Sequence, residues 1–220
     1  RASKQRRFQI NVFWQFFASF FVLILLPSTI ACLFMYIYVV QLMEREVEQS
    51  GELLISQFAE RTDKLIASLQ DEMIVTLGHS PELNRYLQYV NEPRDNPTRI
   101  DLTHAVMERI TAISQNHPLV QSAYLYHVNS EHVIGSGVGY IGQDNYFTYL
   151  NHYADVRPDE WQEMFTGRRI MTFTRPLRIE NKQIFTNRTL SSGQYVSAVM
   201  SYPFHTERPE VYLVANIDVL

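Results

Sequence analysis

The chemistry this chain has to offer is mostly aromatic. Of its 13 tyrosines only Tyr36 and Tyr38 fall in the N-terminal apolar run, and Tyr124, Tyr126, Tyr140, Tyr146, Tyr149 and Tyr153 crowd one stretch shortly before Trp161. Small-molecule sites are concave, lined by aromatic groups and completed by a few convergent polar ones. Tyr124, Tyr126, Tyr140, Tyr146 and Trp161 are therefore candidate ligand contacts. Side chains alternate along a strand, so Tyr124 and Tyr126 share one face of theirs. Arg175, at the end of a strand-like run and before Pro176, has the fork geometry to hold a carboxylate or a sugar hydroxyl, and a surface ion pair is an equal alternative. For any single tyrosine the plain alternative is the hydrophobic core.

Other chemistry is weakly supported. Gly137-Val138-Gly139-Tyr140-Ile141-Gly142 spells G-x-G-x-x-G. A dinucleotide loop must join a parallel strand to a helix that receives the pyrophosphate. Here the run follows a hairpin, so a flexible glycine loop at a pocket rim is the expectation. The seven histidines include no H-E-x-x-H pair, and no G-x-S-x-G elbow exists. His127 and His132 flank a turn and read as exposed turn residues, although the pair has the chemistry to share a metal. The single cysteine, Cys32, rules out a disulfide-stapled fold and a cysteine-based metal or nucleophilic site outside the apolar run. No catalytic constellation emerges, and neither a metal nor a cofactor is expected.

The elements that must position these residues begin with a charge-free run from Phe8 to Met43, preceded by Arg1, Lys4, Arg6 and Arg7. A bilayer core about 30 Å thick needs roughly 20 apolar helical residues, so the run is long enough to span it. Basic flanks stay on the cytoplasmic side. The expected topology is a cytoplasmic tail at 1–10, a transmembrane helix at 11–40 and an extracytoplasmic remainder, 41–220, at the cell membrane. The apolar run continues through Leu33–Val40, which disfavours a cleaved signal peptide, and Thr29–Cys32 lacks the polar tether of a lipoprotein. The chain has 19 basic and 23 acidic residues; without the four basic residues of the tail, 15 against 23 remain, a net charge of −8. Such a surface disfavours nucleic acid as a partner of the exported part.

Beyond the span, Leu54, Phe58, Leu65, Leu69, Met73 and Leu77 fall on one helical stripe, predicting a long amphipathic helix over 41–79 that packs on a sheet or on a partner helix. Thr76-Leu77-Gly78 is its stop signal. Ser80-Pro81-Glu82 caps a short helix to about Tyr89. A second amphipathic helix is expected from about Arg99 to Gln115, with Ile100, Val106, Met107, Ile110 and Ile113 inward. Val120–Val128 and His132–Ser136 read as a hairpin around Asn129-Ser130-Glu131. Pro158–Trp161 opens a short helix ending at Gly167. Strand-like runs follow at Arg169–Thr174, Tyr195–Tyr202 and Glu210–Ile217, with an extra strand at Ile184–Leu190 paired around Glu180-Asn181-Lys182. The order predicts an α+β domain over 80–220, an antiparallel sheet with helices on one face.

The basic tail, the single span with its Leu25-Leu26-Pro27, the long emerging helix, the joint Leu77–Leu87 and the strands Gln121–Val128 and Val211–Leu220 together resemble the extracytoplasmic double Cache (PAS-like) sensors of bacterial transmembrane receptors. The likeness is strongest to membrane-anchored regulators with an AraC-type DNA-binding domain, and related sensor histidine kinases share it. The resemblance implies a homodimeric receptor whose membrane-distal Cache half is 80–220. A proximal half, a second span and a cytoplasmic output would follow Leu220. The implied ligand is a small polar molecule, sugar-like or other. Asp218 stands where amino-acid-sensing relatives place an aspartate for the ligand's amine. Those relatives also carry an Arg-x-Trp-Tyr stretch where this chain has Asp144-Asn145-Tyr146-Phe147, so a cap on a following helix is the alternative role for Asp218. A membrane-tethered binding or scaffold protein without an output domain is the competing reading of the whole.

Overall fold

The structure, a computed structural model, describes residues 2–90, 96–136, 138–183, 186 and 188–219, with only the backbone of 2–11, 158 and 159. It contains two compact units, Arg1–Arg61 and Thr62–Leu220.

An apolar run followed by an amphipathic one gives one continuous helix, α1 (Ala2–Gly78), which accommodates Pro27. From Val12 onward α1 includes an 18-residue window of mean hydropathy 2.4 with none of it buried in protein, long and apolar enough by composition to cross a membrane. Cys32 is exposed on this helix. The stripe predicted for the later part of α1 divides in two. Leu69, Met73 and Leu77 are at most 1% exposed, whereas Leu54 and Phe58 are 66% and 73% exposed. Helical spacing marks an apolar face, but only residues from Thr62 onward belong to the unit that has a sheet to pack on.

In the second unit, α2 (Pro81–Tyr89) starts where Ser80 accepts the Leu83 N–H at 3.2 Å, with Pro81 at the first helical position. The helix α3 (Pro97–Asn116) begins earlier than its hydrophobic pattern suggests, because Asn96 caps it through the Thr98 N–H. Val106, Ile110 and Ile113 are buried and Met107 packs partly against them. Ile100, expected inward, is 44% exposed, and Arg99 is buried beside it. Most of the expected loop at 91–97 lies outside the described residues.

The sheet is antiparallel throughout: β1 (Val120–His127), β2 (His132–Gly135), β3 (Gly139–Gly142), β4 (His152–Tyr153), β5 (Thr172–Phe173), β6 (Leu177–Lys182), β7 (Thr189–Tyr202) and β8 (Val211–Asp218). Their spatial order is β3-β2-β1-β8-β7-β6-β4, with β5 on β7. Three expectations are corrected. The glycine run is not a loop throughout, because Gly139–Gly142 pairs with β2, Ile141 opposite Val133; Gly137 is outside the described residues. An antiparallel edge strand cannot form the strand-to-helix phosphate cradle. Glu180-Asn181-Lys182 is not a turn but the end of β6, and the reversal lies beyond it, where the Gln183 N–H meets the Arg188 carbonyl at 2.8 Å. Ile184 and Phe185 are outside the described residues, and Thr189 and Leu190 open β7. The run at Arg169–Thr174 shortens to β5, with Met171 at a positive φ of 46° just before it.

Both faces of the sheet are covered. On one, the last turns of α1 with α2 and α3 bury Ala123, Leu125, Ile134, Ala198, Met200, Leu213 and Ala215. On the other, Tyr124, Tyr126, Val133, Val199, Tyr212 and Val214 lie beneath the connection that follows β3. Strands buried on both sides lose the alternation of burial, which is why β1 and β8 read as nearly continuous apolar runs.

Candidate functional site

The covering connection is built from short pieces: α4 (Gln143–Asn145), a π-helical turn at Tyr146–Leu150, β4, α5 (Pro158–Gln162) and a 3-10 turn at Glu163–Phe165. Phe147 is its hub. Its ring centroid lies 5.9 Å from Tyr124, 6.2 Å from Tyr126, 6.1 Å from Tyr153, 5.9 Å from Phe165 and 4.1 Å from Trp161. At a 31° interplanar angle, Trp161 sets one face of its indole on Phe147.

Beside this hub opens a cleft of about 430 Å³, within the size range of small-molecule sites. Its floor is Val156, Trp161, Met164, Leu177, Val199 and Phe173, and its polar lining is Glu160, Glu163, Arg169, Thr172, Thr174 and Arg175. Two cations and two carboxylates leave that lining without net charge. Arg169 is anchored by donating from Nη2 to the Glu163 carbonyl at 3.1 Å and from Nε to the Thr166 carbonyl at 3.3 Å. Glu160 pairs with Arg157 at 3.2 Å across the first turn of α5. Arg175 is exposed at the rim.

Of the residues singled out from sequence, Trp161 and Arg175 meet in this cleft. The others lie elsewhere. Tyr124 and Tyr126 are buried beneath the connection and Tyr146 within it, 0%, 8% and 4% exposed. The Tyr124 and Tyr153 hydroxyls hydrogen-bond at 2.8 Å, and the Tyr126 hydroxyl donates to Gln143 Oε1 at 2.7 Å. Burial holds the Tyr124 and Tyr146 phenols well above their ordinary range. It pushes Tyr126 up to about 12, with the Glu131 and Asp144 carboxylates adding to it. These phenols stay neutral at physiological pH and cannot serve as bases. Tyr140 is on the helix side, where Arg99 donates to its hydroxyl and lies over its ring at 4.9 Å. Asp218 is exposed at the end of β8, opposite Tyr195, and its N–H donates to the Leu119 carbonyl at 3.2 Å. Its carboxylate raises the Tyr195 phenol, after burial as the larger cause.

Glu160, Glu163, Arg169, Phe173 and the two threonines were not singled out from sequence. The available signal was an aromatic residue beside charged or hydroxyl ones, in Glu160-Trp161 and in Thr172-Phe173-Thr174-Arg175, two segments that line one cleft.

A buried polar chain runs between the tyrosines and β8. Ser197 donates to Asn216 Oδ1 at 2.8 Å, and Asn216 Nδ2 reaches Ser122 Oγ and Asn151 Oδ1, each at 3.0 Å. Asn151 Nδ2 is buried with no partner among the described residues. At the hairpin, His127 is not an exposed turn residue but 4% exposed. Its Nδ1 accepts the Ser130 N–H at 3.1 Å, so the ring is neutral with its proton on Nε2. Burial lowers its pKa to about 4, with His132 opposite it as the second cause. His132 Nδ1 meets the Ser130 carbonyl and its ring stacks on Tyr140. Among the described residues no three His, Cys, Asp or Glu side chains cluster as a metal site would need. Neither a family model nor a curated protein matches the chain.

Proposed function

We propose that this chain is the membrane anchor and extracytoplasmic ligand-sensing region of a transmembrane receptor, with the cleft at Trp161 as its ligand site. The N-terminus is cytoplasmic, residues 41–220 are outside and the receptor is a homodimer. The output is an AraC-type DNA-binding domain, with a histidine kinase as the alternative. The observation that carries the reading is one helix, α1, holding both the apolar run and Leu69, Met73 and Leu77, which pack on the sheet opposite the cleft. A ligand that binds two packings of that sheet unequally shifts their populations, and the end of α1 is where the shift is felt. A ligand with equal affinity for both would transmit nothing.

The test is hydrogen exchange on the chain in lipid nanodiscs, with and without a compound that stabilises it in a thermal-shift screen. The receptor reading expects altered exchange at 143–175 and, beyond the slowing that a stabilising ligand gives Val211–Ile217 as well, at 69–78. Excess protection confined to 143–175 would leave a tethered binding protein and sink the receptor.

A further inference from the structure

The cleft's charges and its apolar floor differ in how firmly they could hold a ligand. Arg175 and Glu163 are exposed, and Glu160, with a side chain 46% exposed, is already paired with Arg157. Ion pairs made by such solvated groups contribute about 0–1 kcal/mol each. With two guanidinium groups and two carboxylates in the lining, neither an anion nor a cation gains a net Coulombic advantage. Affinity must therefore come from the apolar lining, where Trp161 has one face against Phe147 and Phe173, 46% exposed, contributes a second ring. Aromatic surface of this kind rewards a ligand with a flat apolar face. The polar lining offers both carboxylate acceptors and guanidinium donors, a set that matches hydroxyl groups, each of which donates and accepts.

We infer that the ligand is an uncharged saccharide, its C–H face laid on Trp161 and its hydroxyls bridging Glu163 and Arg175. The inference rests on the cleft being the ligand site. A zwitterionic amino acid also finds both charges here, but its ammonium and carboxylate would compete with water for solvated partners and its small apolar surface would leave the floor uncovered. A dicarboxylate would meet Glu160 and Glu163.

The test uses the full chain in nanodiscs with Trp14→Phe, so that Trp161 is the sole tryptophan. The probes are neutral mono- to trisaccharides of the common pentoses and hexoses, the amino acids, and succinate and citrate. The expected result is saturable movement of Trp161 emission by a saccharide, with affinity changing less than about twofold between low and high salt. Arg175→Ala weakens it by no more than about fivefold, as loss of a solvated partner does. Trp161→Ala, read by calorimetry, weakens it at least as much, and Trp161→Phe, which keeps an aromatic face, weakens it less. Saturation by an amino acid or a carboxylate alone, still lost in Trp161→Ala, overturns the saccharide and leaves the cleft as the site. Binding untouched by both Trp161→Ala and Arg175→Ala overturns the cleft itself. Saturation by none of the saccharides overturns the inference.

Discussion

The two faces of one sheet are built to different ends. The helix side is mainly aliphatic: Leu69, Met73, Leu77, Ile110, Ile113, Met200 and Leu213 are at most 1% exposed between the sheet and the helices, with Tyr86 the one fully buried ring described among them. The other side is aromatic and polar, with Tyr124 covered by Phe147, Tyr153 and Phe165 from elements of five residues or fewer, a chain of buried amides and hydroxyls through Asn216 and Asn151, and an open cleft. Branched and straight aliphatic chains fill space at crystal-like density and hold one arrangement. Rings that touch edge to face, with hydroxyls that must find partners, tie specificity to a cover that local opening can move. On the proposed reading, one face holds the helix and the other meets the ligand.

The comparison can be broken first inside the aromatic face. Tyr126→Ala removes a ring 8% exposed whose centroid is 4.8 Å from that of Phe165, and should cost about 3–5 kcal/mol of unfolding free energy by urea titration. Trp161, half-buried at the cleft, should cost clearly less on truncation while losing ligand. On the helix side, Met73→Ala is expected to cost about 2–5 kcal/mol and to change ligand affinity by less than Trp161→Ala does, through the coupling alone and not through a lost contact. If Met73→Ala weakened binding as much as Trp161→Ala, the division of labour would fail.

The buried polar chain is next. Asn216→Leu strands Ser197 and the Asn151 oxygen without their partner and should cost about 1–3 kcal/mol, readable as a lower urea midpoint. An unchanged midpoint would mean that water already satisfies these groups. Acid acts on the other end of the sheet. His127 titrates near 4 when folded and near 6.5 when unfolded, so the unfolded state binds the extra proton between those values. Stability held above pH 6.5 is thus lost as the pH falls toward 4, by about 1–2 kcal/mol after allowing for solvent at the turn. His127→Gln should flatten that limb of the pH profile. Smallest is Ser80→Ala, which removes the α2 cap and should cost about 1 kcal/mol.

Much of the scaffold was legible in the residues. Ser80-Pro81 placed α2, and the β-rich runs placed β1 and β8. β3 was hidden because glycine spacing suggested a loop, although Tyr140 and Ile141 pair with β2. β6 was hidden because Arg178, Glu180 and Lys182 alternate with Leu177 and Ile179, and charged residues on a strand's outer side look like a turn. The tyrosine cluster was visible as a cluster. Whether each ring lined a cleft or filled a core depended on partners far along the chain, such as Tyr153 for Tyr124, which no local pattern carries.

The measurement that tests the contrast most directly is native-state hydrogen exchange of the unliganded chain in nanodiscs. The account predicts that 69–77, Ala123–Tyr126 and Val211–Ile217 exchange only through global unfolding, while 143–167 exchanges through local opening at markedly lower free energy. Equal protection of the two sets would make the aromatic cover part of the rigid scaffold, and would contradict the claim that one face holds while the other reads.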